Sequence, residues 1–198
     1  YDTLETLYRN KIPIREMWVW LENHFPEKYQ GYKVILSPLV SSSHTTIDVE
    51  DNGYKEILMF LNMPNLFKIS DVTIGNIMRG VFTEIDHNYV NPVSDQYLDE
   101  INIAMRDYRD WTKNSSSTYH SAYATFNEYM TWAVFTLFAY DYFDQEEFET
   151  INTFTENSMV HGRKFHMFKE FNTKLLALYQ EKNNKIAQKT YKKIGMEP

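Results

Sequence analysis

The sequence predicts an α+β domain, a small sheet near the N-terminus followed by a helical half, and three observations carry that prediction. Residues 32–36, 45–49 and 55–62 are short runs rich in β-branched and aromatic side chains, and turn-forming residues separate them. From residue 70 onward, apolar residues recur every three or four positions, which is helical spacing. Hydrophobic residues make up 43% of the 198 and cysteine is absent, so packing alone can build a sizeable core without disulfides.

Taken in order, the first quarter reads as helical. Leu4, Leu7 and Tyr8 share a face before Pro13, and Ile14, Met17, Trp18 and Leu21 repeat the spacing until Pro26. Ser37-Pro38 closes the first strand, and Asp51-Asn52-Gly53 is a turn signal between the other two. The expectation is a mainly antiparallel sheet of about three strands. After Pro64, Ser70 or Asp71 caps a long helix through Ile74, Ile77, Met78, Val81, Phe82 and Ile85. Pro92 is expected to end it, because its ring disfavours a helical residue at Asn91. Residues 96–110 form a weaker helix, and 113–118 a polar, serine-rich break. Residues 122–142 are apolar on nearly every face and predict the most buried helix. Residues 165–186 make an amphipathic one, with Phe168, Phe171, Leu175, Leu178 and Tyr179 on one side. No internal repeat is present, so the chain reads as one domain over 1–198, with helices and sheet in 1–66 and the helical part in 67–198.

Charge and composition narrow the function. A net charge of −7 argues against binding to nucleic-acid phosphates, and the lysines of 182–193 read as a solvated helix face. No apolar run approaches the roughly 20 residues that span a bilayer. With 13 Phe, 15 Tyr and 4 Trp, the main expectation is an aromatic core, with some tyrosines lining a groove or the surface.

Two segments carry possible chemistry. One is Thr83-Glu84-Ile85-Asp86-His87 on the long helix; the other is Asn127-Glu128-Tyr129-Met130-Thr131-Trp132-Ala133 on the apolar helix. A carboxylate such as Glu128 in apolar surroundings is costly unless it is paired or coordinated. Its partner is a cation, and an arginine such as Arg79 or Arg163 would serve as well as a metal. Glu84 and His87, three residues apart, also suit an ordinary hydrogen-bonded pair on a helix surface, and His87 and Glu128 could bond to each other.

These residues resemble part of a zincin site. A zincin helix carries His-Glu-x-x-His, whose two histidines, one turn apart, hold one zinc while the glutamate activates its water. In gluzincins a glutamate on a following helix is the third ligand. Asn127-Glu128-x-x-Thr131 resembles that glutamate helix in thermolysin-like enzymes. His87-Asn88-Tyr89-Val90-Asn91-Pro92 is similar to the His-x-x-x-Asn-Pro ending of an uncharacterised bacterial family of gluzincin-type zinc metallopeptidases. The strand end Ser37-Pro38-Leu39 and the late aromatic helix are similar to that family too, so the resemblance covers most of the chain.

The resemblance implies a zincin-like fold, zinc as cofactor, Glu84 as general base, and His87 and Glu128 as metal ligands. Thr83 stands where the first histidine belongs, and a neutral hydroxyl is a poor zinc ligand. His120 or Asp86 are the replacements within reach of the motif. Tyr140, Tyr142, His161 and His166 are candidates to stabilise an oxyanion, although His161 and His166, five residues apart, do not form a chelating pair. The expectation is therefore a degenerate gluzincin-like homologue that binds a peptide or protein in a groove beside the edge strand. The alternatives are an active zinc peptidase with a replacement ligand, or a helical domain with no such descent. The start at Tyr1 without a leader sequence, together with the resemblance, suggests a processed envelope or secreted protein.

Overall fold

The computed structural model describes residues 2–40, 44–62, 71–113 and 119–186. Among them are eight α-helices and one three-stranded sheet, so the chain is α+β. The order is α1 (Asp2–Lys11), α2 (Ile14–His24), β1 (Gly31–Leu36), β2 (Thr45–Asp51), β3 (Tyr54–Leu61), α3 (Asp71–Asp95), α4 (Leu98–Ala104), α5 (Tyr108–Trp111), α6 (Ala122–Tyr142), α7 (Gln145–Asn157) and α8 (Phe168–Glu181). Its contacts separate two compact units, Tyr1–Tyr89 and Val90–Pro198, and the division falls inside α3. No described helix is long and apolar enough to cross a membrane. Ser70, the break at 114–118 and the lysines after residue 186 lie outside the described residues.

In the first unit the sheet is mixed, which corrects the mainly antiparallel expectation. Its order is β1-β3-β2, with β1 parallel and β2 antiparallel to β3. The hairpin is where the turn signal put it, with Asn52 (φ 49°) and Gly53 (φ 80°) both left-handed, as a type I′ turn requires. The remaining choice, which strand sits in the middle, follows from polarity. β3 carries Ile57, Leu58, Met59, Phe60 and Leu61 and buries Ile57, Met59 and Leu61 completely. β2 carries Asp48, Glu50 and Asp51, which are exposed and suit an edge. β1 therefore pairs with the free side of β3 rather than with its sequence neighbour β2.

The helices of this unit bury Leu4, Tyr8, Met17, Leu21, Phe82, Ile85 and Tyr89. An aromatic cluster ties α2, β1 and α3 together. Trp18 meets Tyr32 edge-on at 4.7 Å between ring centroids, Tyr29 meets Tyr89 at 5.4 Å, and the Tyr32 hydroxyl donates to that of Tyr89 at 3.1 Å. Of these tyrosines Tyr89 is core, while Tyr29 and Tyr32 are half-buried around it.

α3 does not stop at Pro92 but runs through it to Asp95. Proline has no N–H, so the Asn88 carbonyl one turn earlier loses its helical donor. The Tyr29 hydroxyl donates to that carbonyl at 3.0 Å and replaces the missing bond. A side chain distant in sequence thus offsets the lost hydrogen bond, one of the two costs of a proline inside a helix.

In the second unit α6 is the centre, packed by α4, α5, α7 and α8. Phe126, Tyr129, Met130, Ala133, Val134, Leu137 and Phe138 are all buried, so its apolar residues lie on every face, as expected. Ser121 caps its start by accepting from the Ala124 amide at 3.1 Å. The weak helix expected over 96–110 is broken into α4 and α5 around Met105. α7, which the apolar spacing did not reveal, is announced by Asp144 three residues before Glu147, whose amide it caps at 2.9 Å. α8 begins at Phe168 rather than 165, because a π-helical turn, Ser158–Gly162, and left-handed Lys164 (φ 66°) precede it.

Removing the Tyr29 hydroxyl (Tyr29→Phe) should cost about 1 kcal/mol in urea unfolding, and Pro92→Ala, by restoring an N–H, should reduce that cost. Equal losses in both backgrounds would break the link between Tyr29 and Pro92. Burial pushes the Tyr8 and Tyr29 hydroxyls up to about 12, for Tyr29 with a further contribution from Glu27 and Asp48. Their stabilising effect is complete below pH ~10, where the unfolded chain's tyrosines are still protonated, and is lost as pH rises toward about 12. The melting temperature should therefore fall above pH ~10, and Tyr8→Phe should flatten that fall.

Candidate functional site

The residues singled out by sequence divide between the two units. Thr83, Glu84 and His87 belong to α3 in the first. Thr83 is 7% exposed, and its hydroxyl donates to the Gly80 carbonyl at 3.3 Å, the common habit of a threonine inside a helix. Glu84 and His87 are half-buried, and Asp86 is fully buried. The Asn88 side chain donates from Nδ2 to the carbonyls of Glu84 (3.2 Å) and Ile85 (3.1 Å), which fastens the turn that carries Glu84 and His87.

A second histidine in this unit escaped the sequence reading. His44 enters β2, and its Nε2 lies 3.6 Å from where a side-chain carbon on Gly80 would stand. Gly80 thus leaves room for the ring one turn before Thr83. Burial holds the imidazole below its ordinary pKa, so it is neutral at physiological pH, and its buried Nδ1 has no hydrogen-bond partner among the described residues. The signal in the sequence was the glycine itself, unexplained in the interior of a long helix.

Glu128 is on α6 in the second unit, where its side chain is only 10% exposed. One oxygen of its carboxylate takes two donors. Arg163, just after the π-helical turn, donates from Nη1 to Oε1. Trp132, one turn along α6, donates its indole N–H to the same oxygen at 3.0 Å. The guanidinium carbon lies 4.5 Å from the centre of the Trp132 ring, a cation–π contact, and Nη1 also donates to the Tyr119 hydroxyl at 2.8 Å. Burial first, then the charge of Glu128, raises the Tyr119 hydroxyl above its ordinary pKa, against a lowering by Arg163, so it remains a neutral phenol. Tyr119 packs edge-on against Phe165 at 5.2 Å, and Phe165 stacks on Tyr129 at 5.0 Å. The arginine partner was legible from the sequence as one of two choices. Trp132 stands in the segment that carries Glu128 but has no role in the sequence reading, although its i, i+4 spacing from Glu128 is a usable signal, and Tyr119 has no such signal.

The other candidates are dispersed. His120 is exposed just before α6, His161 is exposed in the π-helical turn, His166 and Tyr140 are half-buried, and Tyr142 is exposed at the end of α6. Among the described residues no group of three or more His, Asp or Glu side chains gathers where it could hold a metal ion. As they stand, these side chains do not fit a zinc tripod. The Thr83 hydroxyl is committed to its own helix, and Glu128 shares its oxygen with a guanidinium that a metal would have to displace.

No family model, no curated protein and no solved structure matches the chain.

The Glu128 cluster makes a direct prediction. Arg163→Ala leaves a carboxylate in an apolar site without its cation, and should cost about 1–3 kcal/mol, less than a fully buried pair because Arg163 is 41% exposed. Glu128→Gln in the Arg163→Ala background should recover part of that loss in chemical denaturation. Strictly additive losses would mean that the pair has no energetic coupling.

Proposed function

We propose that this chain is a zincin-like scaffold that binds an extended peptide or protein segment and does not hydrolyse it. The observation that carries the reading is the state of Glu128. A gluzincin uses this carboxylate for zinc; here its negative charge is neutralised by Arg163 and one of its oxygens already accepts two hydrogen bonds. Thr83 at the first-ligand position supports the same reading, because neither its chemistry nor its hydrogen bond favours a metal. Glu84 then has no metal-bound water to activate, and a general base without its nucleophile gives little hydrolysis.

The binding surface in this reading is the outer edge of β2. An edge strand offers unpaired backbone N–H and C=O groups to an added strand. β2 pairs only with β3 among the described residues, and Ile47 and Val49 project from it 51% and 43% exposed. Alternating with them, Asp48 and Glu50 favour a partner strand with lysine or arginine at every second position.

The test combines metal content with binding. Elemental analysis after dialysis against micromolar zinc should find well under one zinc per chain, and Thr83→His should raise it. A blocked decapeptide of alternating valine and lysine should bind, as read by fluorescence anisotropy, and remain intact by mass spectrometry. Replacing both Ile47 and Val49 with lysine should weaken that binding at least fivefold. One firmly held zinc, with peptide cleavage abolished by Glu84→Gln, would establish a working peptidase instead. Absence of any edge-dependent binding would sink the binding reading.

A further inference from the structure

A groove of about 670 Å³ lies within the first unit, between α1, the start of α2 and one face of β1. That volume falls in the roughly 300–1,000 Å³ range of small-molecule sites. Its apolar wall is Ile12, Ile14, Val34 and Leu36. Val34 and Leu36 alternate along β1 and so share the strand face that Tyr32 also presents.

The polar groups on the groove are unequally committed. Arg9 is bound to Glu5, donating from Nε at 2.9 Å and from Nη2 at 2.7 Å, so that pair cancels itself. Arg15 lines the groove with no acidic partner among the described residues. Tyr8 is 5% exposed, yet its hydroxyl makes no hydrogen bond to a described residue. The hydroxyl faces the groove with its proton unclaimed by the described residues. α2 opens at Pro13 with no side-chain cap; the Ile14 amide bonds back to the Ile12 carbonyl at 2.9 Å, which leaves the amides of Arg15 and Glu16 as donors at the positive end of an 11-residue helix. Only Glu16 opposes an anion there, and it sits in the first turn of α2, where the helix end itself favours it.

Every uncommitted group but one is therefore a donor or a cation, set against an apolar wall. We infer that this groove is a binding site for a small carboxylate with an aliphatic body, the carboxylate taken by Arg15, the Tyr8 hydroxyl and the uncapped start of α2. Ile12, Ile14, Val34 and Leu36 contact the chain. Because burial holds the Tyr8 hydroxyl protonated until about pH 12, it stays a donor throughout the physiological range. The inference uses no residue of the Glu128 cluster or of the β2 edge, and stands or falls apart from the peptide reading.

Isothermal titration of the full chain with decanoate, decan-1-ol and decylamine tests it. Decanoate should bind at least tenfold more tightly than the alcohol, and the amine more weakly than either. Arg15→Ala should remove the preference for decanoate, Arg15→Lys should restore part of it, and Tyr8→Phe should weaken decanoate at least threefold. Glu16→Gln should tighten it. Circular dichroism melts of each variant confirm that the fold persists; since Arg15 is exposed, its variants should melt like the parent. Equal affinity for acid and alcohol, a preference for the amine, or an Arg15→Ala variant that binds decanoate like the parent would overturn the assignment.

Discussion

A carboxylate on the most apolar helix of a chain has to be compensated, and the compensation of Glu128 organises the polar side of the second unit. Burying an unpaired charge costs several kcal/mol, more than any single packing contact on α6 returns. Arg163 supplies the charge, Trp132 supplies a second donor and a π face, and Tyr119 takes a remaining guanidinium proton. Meeting those demands fixes the turn after α7. The π-helical turn at Ser158–Gly162 and left-handed Lys164 set the backbone on either side of Arg163, and the Arg163 amide bonds back to the Ser158 carbonyl at 3.0 Å. Phe165 can then stack on Tyr129.

The first unit is governed by a different requirement, that backbone groups as well as side chains be satisfied. β3 occupies the centre of the sheet because it alone is apolar enough to be covered on both sides, and β1 and β2 take the two edges accordingly. The same accounting keeps α3 continuous. An internal proline leaves the Asn88 carbonyl without a donor, and the Tyr29 hydroxyl supplies one. The aromatic cluster around Tyr32 and Tyr89 is therefore not only a source of buried area; with Tyr29 it also provides the polar contact that lets α3 pass Pro92.

Local signals in the sequence were read well. The Asn52-Gly53 turn, the periodicity of α1 and α2, and the all-round apolarity of α6 follow from backbone sterics and hydrophobic spacing, which act over a few residues. The misreadings concern groups that meet across long separations. The parallel pairing of β1 with β3 and the rescue of α3 by Tyr29 are invisible to any local window. For the site, Glu128's need for a cation was legible because an isolated carboxylate in an apolar helix is a local fact. Which cation it takes was not, because Arg163 lies 35 residues away on a turn that no periodicity announces. His44 went unread for the same reason, its nearest landmark being the missing side chain of Gly80.

Thr83 and Arg163 bear on the same question from opposite directions. A zinc site needs each ligand more than any one of them needs the metal, so losing one imidazole weakens binding while leaving the other ligands in place. A carboxylate left without its cation is then a standing cost, and a nearby arginine that captures it removes that cost. Glu128 is held by two donors, Arg163 and Trp132, and the Arg163 guanidinium lies in turn over the Trp132 ring. Removing Arg163 alone would leave a buried carboxylate without its cation. The ion pair thus stabilises the second unit, and any other cation that was to take Glu128 would have to displace a guanidinium already in place.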